Sequence, residues 1–310
     1  MVNELLGDRL FSAAVTPMRS DESVDLDALE AMIDADLARG VEGLYVCGSS
    51  GEGVLLSEAE RKSIARTAVT VAAGRVPVVS HIGAMSTGEA IRLAGDAEDA
   101  GVTAISMIPP LYYGYSTPEV VRHFRAVIDA VDLPFVLYNI PQFTGRDISE
   151  GGFEELLELP QVIGVKHTSR NLYGAERIIQ RYPHLSLING FDEFYLPALS
   201  IGARGAIGTT VGVQIELFLA LRRRFAADDL AGARAVQVRI NDTVEAMVAE
   251  GVFGAAKYLG GKNSVSLGDC RRPLPTLDDA ARTRLDGVWE RLQQSIARTT
   301  AEERDANPGG

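Results

Sequence analysis

One lysine of this chain stands inside a short run that otherwise has the composition of a buried strand. Lys166 lies in "IGVKHTS", residues 163–169, although the chain uses arginine for nearly all its positive charges and has only four lysines among 30 basic residues. Burial disfavours the ammonium form and lowers the pKa of a lysine. A neutral amine attacks carbonyl carbons, which arginine cannot do because it stays protonated. The position predicts a nucleophile; the alternatives are a lysine paired with a buried acid, or a strand that faces solvent.

Other residues that could take part in catalysis or binding lie at the ends of further strand-like runs. Tyr138, in "LYNIP", closes the fifth strand-like run, and its phenol can donate or accept a proton. "CGSSGEG" holds Ser49 and Ser50 between glycines, where backbone N–H groups can form a nest for a carboxylate. "NGFDEF" carries two adjacent acids, Asp192 and Glu193, whose side chains diverge and lack an accompanying histidine. Sugar hydroxyls therefore suit them better than a metal, with a solvated helix N-terminus as the alternative.

The elements that must position these residues alternate regularly along the chain. Eight β-rich runs are each followed by a helical pattern: 10–17, 43–49, 77–83, 104–110, 134–141, 162–169, 185–190 and 203–210. Ser57 with Glu60 predicts a capping box, and Thr117 before Pro118 predicts another helix start. Near-continuous apolar strands indicate a parallel sheet covered by helices, and eight strands suffice to close it. A doubly wound sheet would need a glycine-rich turn after its first strand, and "AAVTPMRSDES" has no glycine.

The predicted fold is therefore an α/β protein, a (β/α)8 TIM barrel with a C-terminal helical subdomain. We expect the barrel at 1–226, the helical subdomain at 227–298 and a disordered tail at 299–310. In such barrels the chemistry lies where strands end and βα-loops begin. That rule selects the following candidates: Thr16, Ser49, Ser50, Glu52, Tyr112, Tyr138, Lys166, Thr168, Asp192, Glu193 and Thr209. Thr209, in "AIGTT", could contact a hydroxyl or help to bind a phosphate.

Composition excludes several classes of partner. The net charge of -12 argues against nucleic acid and against an anionic membrane surface, because both attract basic faces. No apolar run approaches the ~18 residues of a membrane span, and the N-terminal residues lack the pattern of a signal peptide. Cys47 and Cys270 form neither a disulfide framework nor a zinc pattern. We expect a cytoplasmic protein without a metal.

The candidate residues listed above, in their order along the chain, make the sequence resemble a family of pyruvate-dependent class I aldolases. That family contains dihydrodipicolinate synthase and N-acetylneuraminate lyase. Three patterns carry the resemblance: G-S-S-G-E at 48–52, Y-N-x-P at 138–141 and G-x-K-x-T at 164–168. It implies that Lys166 forms a Schiff base with pyruvate, that Tyr138 relays protons, and that Ser49 and Ser50 bind the carboxylate. Tyr112 resembles the family tyrosine that reaches into a neighbouring subunit's site. A homotetramer without an organic cofactor or metal is implied, acting on small keto acids and aldehydes.

Within this family, the segment "GFDE" resembles the lyases for sialic acid. The resemblance implies that Gly190, Asp192 and Glu193 bind the polyol tail, with Thr168 and Thr209 nearby. The favoured activity is cleavage of N-acetylneuraminate to N-acetylmannosamine and pyruvate.

Two further activities stay open. Dihydrodipicolinate synthases carry an arginine where this chain has Phe143, which counts against that activity. Gln142 and Phe143 also depart from the lyase pattern, so another 2-keto-3-deoxy acid aldolase remains an alternative. A silent regulator that binds a keto acid is a third possibility, against which the pair of Lys166 and Tyr138 speaks.

Overall fold

The computed structural model describes residues 3–306 and contains a closed barrel of parallel strands. Each strand pairs with the next one along the chain, and β8 pairs with β1, so within the described residues the barrel has eight strands. All eight predicted strands are confirmed, although they end earlier than predicted. Their bounds are β1 Leu10–Ala13, β2 Gly43–Val46, β3 Val78–His81, β4 Ala104–Met107, β5 Phe135–Asn139, β6 Val162–His167, β7 Ser186–Asn189 and β8 Ala206–Gly208.

Helices connect the strands and follow the barrel. They are α1 Asn3–Leu6, α2 Leu26–Ala38, α3 Glu58–Ala72, α4 Thr87–Ala100, α5 Thr117–Ile128, α6 Pro141–Thr144, α7 Glu154–Leu157, α8 Leu172–Arg181, α9 Tyr195–Ser200, α10 Val211–Ala226, α11 Leu230–Ala249, α12 Val252–Gly261 and α13 Asp279–Ala306. Single 3₁₀ turns lie at Gly53–Leu55, Ile148–Glu150 and Asp192–Phe194. The Ser57–Glu60 capping box opens α3 as predicted. The predicted cap Thr117 is instead the first residue of α5, because Ser116 pairs with Glu119 in a capping box.

The strands bury both faces, which explains their continuous apolar sequences. On β5, Phe135 and Leu137 pack outward against the helices, whereas Val136 and Tyr138 face the barrel interior. This alternation follows from the two-residue period of a strand. Leu6 of α1 joins the interior cluster and is completely buried, so the short N-terminal helix helps to fill the interior.

The prediction of a disordered tail at 299–310 is wrong for most of that segment. Helix α13 continues to Ala306, and the last four residues of the chain lie outside the described residues. Ion pairs explain the order: Glu302 lies 2.6 Å from Arg239 of α11 and 2.9 Å from Arg224 of α10. The polar composition that suggested disorder is the composition of an outer helix attached by ion pairs.

None of the helices between residues 3 and 306 combines the length and the apolar character that crossing a bilayer requires.

Candidate active site

Lys166 lies on the interior face of β6, directly beside Tyr138 of β5. The side chain is 4% exposed, and Nζ lies 4.1 Å from the centre of the Tyr45 ring and 4.0 Å from that of Tyr138. Among the described residues no carboxylate oxygen lies within ion-pair distance of Nζ, so the alternative of a buried ion pair is not realised. Burial lowers the pKa of Lys166 to about 7, and the negative charge of Asp192 holds back a further decrease. A substantial fraction of the amine is therefore neutral near pH 7.

Tyr138 is buried beside the amine in a cluster of aromatic rings. Its ring stands edge-on to those of Tyr45 and His81, with centroids 6.1 Å away in each case. Burial raises the pKa of Tyr138 to about 12, and the neighbouring hydroxyls of Ser49 and Thr168 hold back that rise. The phenol stays protonated at neutral pH, so it is a hydroxyl that can donate a proton or pass one on.

The loop after β2 presents the serine hydroxyls to the same space. Ser50 Oγ lies 2.7 Å from Thr209 Oγ1 at the end of β8, which joins the loops after β2 and β8. The turn is tight, because Cys47 and Glu52 both have left-handed backbone angles, with φ of 59° and 58°. A Cβ at Gly53 would overlap the carbonyl oxygen of Cys47, so this position requires glycine. The glycine-rich sequence therefore serves the shape of the loop.

The loops after β7 and β8 place a buried carboxylate, that of Asp192, at the same cavity. Asp192 is buried, and its Oδ2 accepts the Thr210 N–H at 2.8 Å. Burial raises the pKa of Asp192 to about 6, although the Thr210 hydrogen bond and the charge of Lys166 oppose that rise. Within the described residues Oδ1 has no hydrogen-bond partner. An added Cβ at Gly208 would overlap Oδ1, so this glycine makes room for the carboxylate. A free acceptor thus remains beside the cavity.

These residues line one cavity of about 160 Å³ at the carboxyl end of the barrel. It brings together nine of the ten residues to which the resemblance assigned a role: Ser49, Ser50, Tyr138, Lys166, Thr168, Gly190, Asp192, Glu193 and Thr209. Thr16 and Glu52, which only the strand-end rule selected, do not line it. Tyr112 does not line it; this residue is 88% exposed on the loop after β4, with φ of 76°. Its predicted role in a neighbouring subunit's site remains a prediction.

One wall of the cavity was not predicted from the sequence. It is apolar and is formed by side chains from the loop after β5, from α11 and from α12: Phe143, Val244, Val248, Val252 and Phe253. In the sequence, valines at helical spacing on α11 are the pattern of an ordinary packed helix. Gln142 and Phe143 also line the cavity, at the position where the sequence departs from both family patterns. Among the described residues that line the whole cavity, Lys166 is the only lysine or arginine.

Among residues 3–306, no group of three or more His, Cys, Asp or Glu side chains is arranged to hold a metal ion.

A buried lysine beside a buried tyrosine, at the carboxyl end of a (β/α)8 barrel, defines a class I aldolase, a carbon–carbon lyase. The profile of the dihydrodipicolinate synthetase family matches residues 7–291. The chain therefore belongs to the dihydrodipicolinate synthetase family.

Individual relatives share nearly the whole chain. An N-acetylneuraminate lyase from Rhizobium meliloti is 39% identical over 87% of this chain and 90% of its own length. An N-acetylneuraminate lyase from Citrobacter koseri is 33% identical over 95% of this chain and 99% of its own length. Among solved structures, a Ruminococcus gnavus sialic acid aldolase with a mutated catalytic lysine has a TM-score of 0.92 at 28% identity, covering 96% of this chain and 98% of that one.

Proposed function

We propose that this protein cleaves N-acetylneuraminate to N-acetylmannosamine and pyruvate through a Schiff base on Lys166. The observation that carries this proposal is the burial of the Lys166 amine, with a pKa of about 7, beside the Tyr138 phenol in one cavity. The relatives named above support the choice of substrate.

The reaction begins at the carbonyl group of the open-chain substrate. The neutral amine of Lys166 attacks C2, and loss of water leaves a protonated imine. Ser49 and Ser50 hold the adjacent carboxylate. Tyr138 relays the proton of the C4 hydroxyl: its phenolic oxygen accepts that proton while its own proton passes to the substrate carboxylate, and the C3–C4 bond breaks. The bonding electrons move into the imine to give an enamine, and the aldehyde leaves.

The second half of the reaction regenerates the free lysine. Tyr138 donates its proton to C3 of the enamine and regains one from the carboxylic acid, which restores the protonated imine and the carboxylate. Water then adds at C2 and releases pyruvate. Lys166 and Tyr138 regain their starting protons, and the proton of the C4 hydroxyl ends on the methyl group of pyruvate. The water lost on imine formation is balanced by the water consumed on hydrolysis, so the cycle needs no oxidant or reductant.

The distal part of the cavity favours a neutral polyol tail. Asp192 Oδ1 and the Glu193 carboxylate are acceptors for hydroxyl groups, and the apolar wall can cover the methyl of an acyl group. A second substrate carboxylate, such as the synthase reaction requires, would face these acids, and no arginine or second lysine among the described lining residues would receive it. Charge therefore supports the lyase over the synthase.

The test combines substrate cleavage with trapping of the imine. We expect pyruvate release from N-acetylneuraminate, and borohydride reduction in the presence of pyruvate should add one pyruvyl group to Lys166, located by peptide mass spectrometry. Lys62, Lys257 and Lys262 are internal controls because each is held by an ion pair. Trapping at Lys166 without cleavage of N-acetylneuraminate would redirect the assignment to another keto acid, and no trapping would refute the mechanism.

We further propose a homotetramer located in the cytoplasm. Tyr112 supports assembly, because its exposed ring packs edge-on to Tyr113 at 5.0 Å on a protruding loop that could reach a neighbouring subunit. Cys47 and Cys270 are free and buried, which suits a reducing compartment. Light scattering should give four times the chain mass, and Tyr112→Ala should lower turnover if the ring completes a neighbouring site. An unchanged turnover would remove that role.

A further inference from the structure

Glu52 belongs to the loop that carries the two serines, but its side chain turns away from the cavity. The residue follows Ser49 and Ser50 closely, and its left-handed backbone directs the carboxylate toward the helices after the barrel. There, Glu52 Oε1 lies 2.5 Å from Lys257 Nζ of α12. The side chains of Glu52 and Lys257 are 0% and 1% exposed, so this ion pair is fully buried.

Backbone groups of the segment before α13 complete the environment of both charges. Glu52 Oε2 accepts the N–H of Arg271 at 2.7 Å, and Lys257 Nζ donates to the carbonyl oxygen of Asp269 at 2.9 Å. The Arg271 guanidinium in turn donates to the Leu55 carbonyl oxygen at 2.8 Å. The serine loop is thus attached to residues 269–271 at Glu52, directly and through Lys257, and at Leu55.

Helix α12 connects this ion pair to the opposite wall of the cavity. Phe253 lines the cavity from the first turn of α12, and Lys257 stands one turn further along the same helix. A single rigid element therefore fixes the distance between the apolar wall and the serine loop. Burying an ion pair rarely stabilises a fold more than apolar residues of the same size would, so stability alone is a weak reason for this pair.

We propose that Glu52 and Lys257 are positioning residues that set the place of the Ser49 and Ser50 hydroxyls in the pyruvate site. The inference rests on the proposed function in one respect, namely that these hydroxyls hold the pyruvate carboxylate. Displacement of a substrate-holding group by about 1 Å can reduce reactivity by as much as 10²-fold. Loss of the pair should therefore weaken pyruvate binding without touching the reacting atoms.

The experiment uses the double variant Glu52→Gln/Lys257→Met, which removes both charges but keeps the side-chain volumes and an acceptor for the Arg271 N–H. The control is Glu42→Gln/Arg222→Met. Glu42 lies 2.6 Å from Arg222 and also accepts a backbone N–H, that of Leu10 at 2.9 Å, but it stands at the other end of β2. Pyruvate concentration is varied in borohydride trapping on Lys166, and kcat and KM for cleavage and the melting temperature are measured in parallel.

We expect the half-saturating pyruvate concentration of the Glu52/Lys257 variant to rise at least about tenfold, with KM rising more than kcat falls. The control should keep wild-type values whatever its melting temperature. A folded Glu52/Lys257 variant with unchanged half-saturation would overturn the inference. If that variant does not fold, the half-saturating pyruvate concentration of Glu52→Asp is compared with that of Glu42→Asp, and only the former should rise. Failure of the wild type to trap pyruvate would remove the proposed function, and the inference with it.

Discussion

Replacement of Lys166 by methionine should stabilise the protein. Burial lowers the pKa of this lysine from 10.5 to about 7, and one pKa unit corresponds to about 1.4 kcal/mol, so keeping the lysine inside the barrel costs about 5 kcal/mol. Methionine fills a similar volume without a charge. Part of the gain is lost, because Lys166 also lowers the pKa of Asp192 and that carboxylate loses its neighbour. We expect the free energy of unfolding to increase by about 1–4 kcal/mol.

The stability gained by Lys166→Met should depend on pH, whereas a gain from better packing would not. For a lysine whose pKa is lower in the folded state, the destabilisation is absent above the unfolded value of 10.5, grows as the pH falls toward 7, and is constant below 7. The advantage of Lys166→Met should therefore be small near pH 10 and largest at pH 7 and below.

Urea unfolding of both proteins between about pH 6 and pH 10 measures this advantage directly. Lys262→Met is the matched control, because Lys262 pairs with Asp286 near the surface at 2.7 Å, and such pairs contribute only about 0–1 kcal/mol. A Lys166→Met protein that is no more stable than wild type, or whose advantage does not change with pH, would refute the argument from burial.

Three further predictions concern catalysis. Tyr138→Phe should lower kcat by about 10²–10⁴ while imine trapping on Lys166 persists; near-normal turnover would leave Tyr138 a packing residue. The initial rate of trapping should rise with pH and level off above about pH 7, where Lys166 is neutral; a rate independent of pH would contradict the lowered pKa. Asp192→Asn removes the charge that raises the pKa of Lys166, so the midpoint of that profile should move to lower pH. The same variant should weaken cleavage of N-acetylneuraminate by roughly 5- to 150-fold, and an unshifted midpoint would contradict the electrostatic role.

The strands were predictable because the interior and the helix-facing side of a closed barrel are both apolar. Their ends were not, because apolar runs such as "LFSAAVTP" continue past Ala13 into a loop that the C-terminal segment covers: Met18 N–H donates to the Leu267 carbonyl oxygen at 3.1 Å. The C-terminal end of helix α13 was predicted too early for a related reason. Its last turns are ordered by Glu302 and its arginine partners on two other helices, and sequence gives no signal for contacts so distant along the chain.

Most of the catalytic cavity was predictable from strand ends, because parallel strands bring their carboxyl ends together. The exceptions have physical causes. Glu52 stands at a strand end, but a left-handed backbone turns its carboxylate away from the cavity, and nothing in the residue types indicates that direction. The valines and Phe253 of the apolar wall reach the cavity from helices that follow the barrel, outside the elements to which the strand-end rule applies.

The position of Asp192 explains why the pKa of Lys166 falls as far as about 7 and no further. Burial alone lowers the pKa, and the charge of Asp192 is the opposing influence. A stronger influence, such as a direct ion pair, would keep the lysine charged and unreactive. Without any acid, the amine would be neutral but the protonated imine formed from it would have no counter-charge. Asp192 instead remains bound to the Thr210 N–H, so its charge acts on Lys166 from a fixed position. That arrangement leaves a neutral nucleophile near pH 7 and still favours the cation that forms on it.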